Sequence, residues 1–299
     1  MGMPTQLKGR YELKEVLAKG GMGIVYKAVD SMMKRPVAIK TLLDISDNLG
    51  LQLFQKECEV LATMVHPNII EIYDVGEFDE DGISRPYLVM PLLPGITLDK
   101  LIRASSQRLT LERSIDIICQ ACRGLQAAHE KGLVHRDIKP SNLFVLEDDS
   151  IKIIDFGVAH SLEASRTVGR KGTLLYMAPE QIEMKPVSAV SDIFSLGVVS
   201  YEMLTRRKPF ERATENSVAD AILHFMPPPA SELNPSVNRA VSQTIHKAMA
   251  KQPWHRFPSA KEFADTLQKA ARNEPIIPAI LGLIVGILFG HFFWPNTGK

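Results

Sequence analysis

Three side chains that could carry out phosphoryl transfer lie close together in the sequence. The segment from His135 to Asn142 reads HRDIKPSN, and Asp155 follows thirteen residues after Asn142. Asp137 could accept the proton of an alcohol, while Asn142 and Asp155 could hold a divalent cation through oxygen. Transfer of a phosphoryl group to an alcohol needs both functions, an oriented nucleophile and a metal ion that neutralises charge on the phosphates.

A glycine-rich turn near the N-terminus offers a second element for this chemistry. Residues 17–26 read LAKGGMGIVY and lie between two alternating stretches, residues 11–17 and 24–29, so the turn is predicted to be the tip of a β-hairpin. Glycine lets backbone N–H groups close over phosphate oxygens because no Cβ intervenes. Glycine pairs also mark ordinary hairpins, so the turn alone leaves both interpretations open.

A short apolar strand, VAIK, ends in Lys40. Taken alone, this pattern is typical of a lysine whose ammonium reaches solvent from a strand end. A helix is predicted to follow at about residues 49–65, because apolar residues recur there near the helical period. They are Leu53, Phe54, Cys58, Leu61 and Val65.

These motifs stand in the order found in eukaryotic-type Ser/Thr protein kinases. Residues from about 11 to 272 resemble such a kinase domain, most closely those of bacterial membrane-anchored members. The resemblance implies an α+β, bilobal fold. A tail of residues 1–10 would precede a small antiparallel β lobe with one helix at residues 11–90, and a larger, mainly helical lobe at residues 91–272. It also implies ATP with Mg²⁺, or Mn²⁺, as cofactors.

The resemblance assigns roles to five residues. Asp137 would orient the substrate hydroxyl and accept its proton, and Lys139 would neutralise charge on the γ-phosphate. Lys40 would pair with the α- and β-phosphates. Asn142 and Asp155 would bind the metal.

The resemblance also implies a nucleotide pocket. Ala18 departs from the glycine-rich pattern, because the family has its first glycine there. Lys40 would pair with Glu57 on the helix predicted at residues 49–65. Glu59 is the alternative, although two steps of about 100° carry it to another face. The nucleotide-binding candidates are Leu17, Ala18, Lys19, Gly20, Gly21, Met22, Gly23, Val25, Ala38, Lys40, Glu57, Met90, Leu93, Asn142 and Asp155.

Strands predicted at residues 69–73 and 87–90 complete the small lobe and lead into the connection between lobes. By resemblance, Met90 lies behind the adenine and Pro91 begins the hinge. Proline keeps its carbonyl but has no N–H, so Leu93 is the candidate N–H donor to adenine.

Further helices are predicted beyond the hinge, which makes the second lobe mainly helical. They fall near residues 98–103, 111–131, 191–205, 217–224, 236–250 and 259–271.

Arg136 implies regulation through the segment from residue 155 to 180. In relatives with an arginine here, a phosphorylated residue of that segment usually pairs with the guanidinium. Thr167 is the candidate regulatory phosphosite, because its phosphate could make bidentate bonds to Arg136. Thr173 fits the threonine that contacts the catalytic Asp and Lys.

Three further residues have architectural roles in the family. The resemblance implies that Glu180 pairs with Arg256, and that Asp192 holds the backbone of the catalytic loop, which is the segment at residues 135–142.

The composition excludes some other classes of function. The 299 residues include 35 basic and 34 acidic ones, which gives no reason to expect nucleic-acid binding. Cys119 and Cys122 lie in an apolar run at residues 115–128, and with only Cys58 remaining a four-thiolate zinc site is excluded. Core packing is the favoured role for the pair over redox or metal chemistry.

Residues 276–294 contain no Asp, Glu, Lys or Arg. Nineteen residues at ~1.5 Å each span about 29 Å, which matches the ~30 Å hydrocarbon core of a membrane. A transmembrane helix is therefore predicted, between a linker at residues 273–275 and a tail at residues 295–299. Glycines at every fourth position could pack two such helices together; they are Gly282, Gly286 and Gly290. The alternative is a buried terminal helix.

The expected function is transfer of the γ-phosphoryl group of ATP to Ser or Thr of proteins, including the chain's own activation segment. The chain is expected to cross the bacterial inner membrane once, with the kinase domain in the cytoplasm. Expected partners are protein substrates, membrane lipid, and a second copy of the chain, held through the kinase domain or the Gly-rich helix.

Two other functions remain as alternatives. A pseudokinase scaffold would be marked by loss of a catalytic residue, but all four are present; they are Lys40, Asp137, Asn142 and Asp155. A kinase for a small-molecule alcohol is disfavoured by the loop with Thr173 and by the Ala178-Pro179-Glu180 segment, which in the family shape a surface for peptides.

Overall fold

The computed structural model describes residues 6–20, 23–42, 58–80, 83–104, 109–156 and 174–272. Its strands are β1 (Gln6–Leu7), β2 (Tyr11–Gly20), β3 (Gly23–Asp30), β4 (Arg35–Leu42), β5 (Asp74–Glu80), β6 (Ile83–Pro91), β7 (Gly95–Thr97), β8 (Leu143–Leu146) and β9 (Ile151–Ile153). Its helices are α1 (Leu98–Arg103), α2 (Leu111–Glu130), α3 (Pro179–Ile182), α4 (Ala189–Thr205), α5 (Glu215–His224), α6 (Ala230–Leu233), α7 (Arg239–Ala248) and α8 (Ala260–Ala271).

The first lobe is one antiparallel sheet with strand order β1-β2-β3-β4-β6-β5. Alternate side chains of its strands point into a shared core; those buried include Tyr11, Leu13, Tyr26, Val37, Ile39 and Tyr87. The sheet begins at Gln6, before residue 11, where the alternation of apolar residues predicted its start. Leu7 of β1 is 1% exposed and pairs with Tyr11.

The strand predicted at residues 69–73 is wrong, because β5 begins only at Asp74. The backbone of Ile69 and Ile70 instead pairs with β9 of the second lobe, where Ile70 N donates to Ile153 O at 3.0 Å. Ile69 and Ile70 are apolar because they lie at the contact between the lobes. The sequence there resembles a strand, although these residues are not part of the sheet.

The helix predicted at residues 49–65 ends earlier than expected. Residues 58–62 are helical, and Cys58 and Leu61 are each 2% exposed, as the apolar stripe predicts. Val65 is 90% exposed and lies beyond the helix, so its assignment to the stripe is wrong. Residues 43–57, including Leu53 and Phe54, lie outside the described part of the chain.

The second lobe is mainly helical, as expected, and its predicted helices are present with ends shifted by up to three residues. Helix α4 lies at its centre, and every residue from Ser191 to Leu204 is buried. Side-chain caps set the starts of several helices, because an oxygen there satisfies an otherwise unpaired N–H. The caps are Thr110 for α2, Thr214 for α5, Asn238 for α7 and Ser259 for α8. The short helices α3 and α6 were not predicted.

The two cysteines of α2 pack in the core, as predicted. Cys119 and Cys122 are both 0% exposed. Burial raises the pKa of the Cys119 thiol to about 12 and raises that of Cys122 well above its ordinary value. Both thiols therefore stay protonated and unreactive at neutral pH.

The bilobal arrangement of a β lobe and a helical lobe confirms the predicted fold class for these residues. No helix in the described ranges is long and apolar enough to cross a membrane. The predicted span at residues 276–294 lies outside those ranges.

Gly124 on α2 is required by the close contact between the lobes. A Cβ there would lie 2.8 Å from Ile153 Cδ1 and 2.9 Å from the backbone oxygen of Asn68. Overpacking of this kind costs about 1–3 kcal/mol, against a gain of about 1 kcal/mol in helix propensity. Because the oxygen belongs to a hydrogen-bonded backbone, we expect Gly124→Ala to lower the free energy of unfolding by about 2 kcal/mol, measured by urea unfolding.

The matched control is Arg123→Ala, at an exposed position on the same helix. It should change stability by no more than about 0.5 kcal/mol. An unchanged urea midpoint in Gly124→Ala would show that the two lobes can separate at this contact without cost.

Candidate active site

One buried carboxylate, that of Asp192, accepts hydrogen bonds from the backbone of the catalytic loop, as the resemblance implied. Its Oδ2 accepts from the backbone N–H of His135 at 2.8 Å, and its Oδ1 accepts from that of Arg136 at 2.8 Å. Oδ2 also lies 2.8 Å from Nε2 of His129. Asp192 is 1% exposed and sits in the first turn of α4, so the loop is fixed to the centre of the second lobe.

The His135 ring joins the catalytic loop to the segment that carries Asp155. Its Nδ1 accepts from the backbone N–H of Asp137 at 3.2 Å, and its Nε2 lies 3.0 Å from the carbonyl oxygen of Ile154. Burial lowers the pKa of His135. A neutral ring that donates from Nε2 and accepts at Nδ1 satisfies both contacts.

Two residues beside the reacting groups have left-handed backbones. Arg136 has φ of +66° and Asp155 has φ of +57°. This conformation costs a residue with a Cβ about 1–2 kcal/mol, so it persists only where neighbouring contacts impose it. For Arg136 those contacts are the N–H bond to Asp192 and a bond from Gln181 Nε2 to its carbonyl at 2.9 Å.

Asp137, Lys139 and Asn142 are brought together, as predicted. Lys139 Nζ lies 2.7 Å from Asp137 Oδ2, and Asn142 Nδ2 donates to the same oxygen at 3.0 Å. Asn142 Nδ2 also donates to the backbone oxygen of Asp137 at 2.8 Å. The carboxylate is buried and its orientation is set by two donors, which suits a group that must meet a hydroxyl at a defined place.

Lys40 lies across the cleft between the lobes from these groups. Its Nζ lies 2.9 Å from Asp155 Oδ1, with 11% and 33% of the two side chains exposed. The predicted partner Glu57 lies outside the described residues. Glu59 is exposed, as expected if it lies on another face of the helix.

Four of the predicted nucleotide-binding residues meet in one apolar cluster. Ala38 and Met90 are buried in it, and Val25 and Leu93 pack against it. The cluster also contains three residues that were not among the nucleotide-binding candidates: Ile70, Leu92 and Ile154. Ile154 could have been found, since it immediately precedes Asp155, whereas Ile70 was assigned to a strand of the sheet.

The glycine-rich turn closes β2 onto β3, as predicted for a hairpin tip. Ala18 pairs with Val25, Lys19 with Ile24, and Gly20 with Gly23. Leu17 is 46% exposed. A Cβ on Gly20 would meet nothing within 4 Å, so the protein's own packing does not require glycine at this position. Gly21 and Met22 lie outside the described residues.

Glu180 and Arg256 form the ion pair that the resemblance implied. Arg256 Nη1 donates to Glu180 Oε1 at 2.7 Å and Nη2 donates to Oε2 at 2.8 Å. Ser191 Oγ donates to Oε1 at 2.6 Å, which was not predicted. The pair ties α3 to the segment after α7. The predicted phosphosites Thr167 and Thr173 lie outside the described residues.

Residues 11–267 match the model of the protein kinase domain family. The chain belongs to that family. The serine/threonine-protein kinase PknB of Mycobacterium tuberculosis is 35% identical over 282 residues, which are 92% of this chain and 45% of PknB. PknB of Mycolicibacterium smegmatis is 35% identical over 289 residues, which are 94% of this chain and 46% of that protein.

A solved structure supports the same assignment for the fold. The crystal structure of the PknI kinase domain of Mycobacterium tuberculosis matches with a TM-score of 0.72 at 26% identity, covering 91% of this chain and 100% of that domain. The resemblance to bacterial Ser/Thr protein kinases is thereby confirmed. The chain spans about half the length of the curated kinases it matches.

The kinase's buried ion pair gives a pH-dependent test. Burial alone would raise the pKa of Glu180, but its bonds to Arg256 and Ser191 lower it below the ordinary value of 4.5. The stabilisation is therefore present above pH 4.5 and is lost as the pH falls through the folded-state pKa. Because Glu180→Gln leaves the Arg256 charge unpaired, we expect it to cost about 3 kcal/mol of unfolding free energy at pH 7.

That cost should shrink as the pH falls below about 4.5, in urea titrations at several pH values. Glu183→Gln is the control, because Glu183 pairs with Lys185 on the surface and such pairs contribute about 0–1 kcal/mol. Equal effects of the two substitutions at pH 7 would contradict the assignment of the buried pair as stabilising.

Proposed function

We propose that this chain is an ATP-dependent protein kinase that transfers the γ-phosphoryl group to Ser or Thr hydroxyls of proteins. The observation that carries the proposal is the cluster of Asp137, Lys139 and Asn142 in the second lobe, facing an ion pair between Lys40 and Asp155. The curated relatives reported above are named serine/threonine-protein kinases.

Each residue of the cluster has a part in the proposed transfer. Asp137, oriented by Lys139 and Asn142, accepts a hydrogen bond from the substrate hydroxyl and takes its proton as the oxygen attacks the γ-phosphorus, whose bond to the oxygen of the leaving ADP breaks. Lys139, 2.7 Å from Asp137, is near enough to the attacking oxygen to neutralise charge on the γ-phosphate. Lys40 holds the α- and β-phosphates in line for the attack.

The donor set fits Mg²⁺. Asn142 Nδ2 donates to Asp137, so its Oδ1 is the atom left for a cation, and Asp155 supplies a carboxylate. Magnesium keeps several waters and takes only one or two carboxylates besides phosphate oxygens. The ion would neutralise charge on the β- and γ-phosphates, and Mn²⁺ has similar ligand preferences.

The apolar cluster of Val25, Ala38, Met90 and Leu93 supports binding of a flat, apolar base such as adenine. It stands at the end of β6, where the chain passes between the lobes. Leu93 lies beyond the end of β6 at Pro91, and its N–H is the proposed donor to adenine. The turn from Leu17 to Gly23 would cover the phosphates, with Ala18 in place of the usual glycine.

Regulation and location complete the proposal. Phosphorylation of Thr167 would supply a partner for Arg136, and Thr173 would contact Asp137 and Lys139. Residues 276–294 would anchor the chain in a bacterial inner membrane with the kinase domain in the cytoplasm. Protein substrates, lipid and a second copy of the chain are the proposed partners. A pseudokinase scaffold is not favoured, because all four catalytic residues are present.

The first prediction from this proposal concerns Asp137. Incubation with ATP and Mg²⁺ should place phosphate on Thr167 or its neighbours, detected by phosphosite mass spectrometry. Asp137→Asn should lower the rate of transfer at least about 100-fold, because it removes the proton acceptor. Nucleotide binding should persist in the variant, since Asp137 is assigned to the hydroxyl and not to ATP. Absence of phosphate in both proteins, with nucleotide bound, would favour the scaffold.

A second prediction concerns the apolar segment. The full chain should stay with membranes after extraction at alkaline pH, while a chain that ends at residue 275 should be released. The physical reason is that nineteen residues without a formal charge match the hydrocarbon core of ~30 Å. A control with Gly282, Gly286 and Gly290 replaced by Ala should also stay in the membrane. Release of the full chain would exclude the anchor.

A further inference from the structure

The side chain of Gln181 connects helix α3 to the catalytic loop. Its Nε2 donates to the backbone carbonyl of Arg136 at 2.9 Å, and its Oε1 accepts from the backbone N–H of Ala178 at 2.9 Å. The donor and the acceptor of the amide are thus both used, which sets the side chain in one orientation. No motif in the sequence pointed to this residue.

The carbonyl that Gln181 binds belongs to the peptide plane leading into Asp137. The N–H of Asp137 lies in the same plane and donates to His135 Nδ1 at 3.2 Å. The plane is therefore held at its oxygen and at its hydrogen. Arg136, which precedes the plane, has φ of +66°, a conformation that a residue with a Cβ adopts only under restraint.

The support for Gln181 is itself fixed. Glu180, the preceding residue, is paired through both oxygens with Arg256 and accepts from Ser191. Glu180 and Arg256 are 4% and 3% exposed. Because the backbone next to Gln181 is fixed by these bonds, the Gln181 side chain can hold the peptide group that it binds.

We propose that Gln181 is a positioning residue for phosphoryl transfer. By holding the peptide between Arg136 and Asp137, it fixes the Asp137 carboxylate relative to the substrate hydroxyl. The inference rests on the proposed kinase activity. The role needs an amide, because the Arg136 carbonyl requires a donor and the Ala178 N–H requires an acceptor. Gln181→Glu keeps the acceptor but sets a carboxylate oxygen against a carbonyl oxygen, and Gln181→Met removes both bonds at similar length.

The test compares these two variants with the wild type as full-length proteins in detergent, with ATP, Mg²⁺ and casein as the acceptor protein. The control is Gln243→Met, at an exposed position on α7. Both Gln181 variants should lose about 10- to 100-fold in kcat, because misplacement of a reacting group acts on the chemical step. KM for ATP should stay within about 2-fold. The control should match the wild type.

Amide hydrogen exchange gives a readout that does not depend on transfer. In Gln181→Met, the N–H groups of Arg136 and Asp137 should exchange at least about 10-fold faster, while those of β8 are unchanged. If the wild type transfers no phosphate, the proposed kinase function fails, and exchange alone decides whether Gln181 holds the loop.

Three results would overturn the inference. The first is wild-type kcat in both Gln181 variants, and the second is unchanged exchange at Arg136 and Asp137. The third is a fall in kcat together with faster exchange throughout the second lobe, since that pattern marks a general loss of stability and not the placement of one peptide.

Discussion

A single buried carboxylate fixes the backbone of the loop that leads into Asp137 in this kinase domain. Asp192 is 1% exposed and accepts from two consecutive backbone N–H groups of the catalytic loop, with His129 as a third neighbour. A charge in the interior is costly unless donors surround it. The carboxylate thus needs the loop in this conformation, and the loop cannot turn away without leaving the charge unsatisfied. Because Asp192 sits on the buried helix α4, the constraint reaches the core of the lobe.

The neutral His135 ring extends this constraint to the proposed metal site. Desolvation lowers its pKa, so Nδ1 remains free to accept from Asp137 while Nε2 donates to Ile154. The His135 ring therefore connects Asp137, the residue proposed to take a proton, to the segment that carries Asp155. Protonation would remove the acceptor at Nδ1, which gives the chain a physical reason to keep this ring buried.

The larger helices could be predicted from their apolar period, and the described structure contains them. The resemblance to the kinase family, carried by motifs at fixed spacing, implied the hold of Asp192 on the loop and the Glu180–Arg256 pair, and both contacts are present. The sequence was insufficient where a backbone supplies the contact. Residues 69–73 read as a strand because apolar residues are frequent there, yet Ile69 and Ile70 pair with β9 of the other lobe and only Tyr73 N reaches the first sheet, at Val89 O. Gln181 acts on a carbonyl distant in sequence, and residue type does not reveal such a bond.

The two lobes are joined by two kinds of contact. Backbone hydrogen bonds between residues 68–70 and β9 lie at what is here called the back of the cleft, and the Lys40–Asp155 ion pair lies at the front. At the back, Ile153 N donates to Asn68 O at 2.9 Å and Ile70 N donates to Ile153 O, while Gly124 admits the Asn68 backbone against α2. At the front, Lys40 pairs with Asp155, whose side chain is 33% exposed, so that solvent reaches the carboxylate. The back contact sets the distance between the lobes. Under the proposed function, Lys40 and Asp155 would exchange each other for phosphate oxygens and a metal ion, while the contact between Asn68, Ile70 and Ile153 keeps the lobes together.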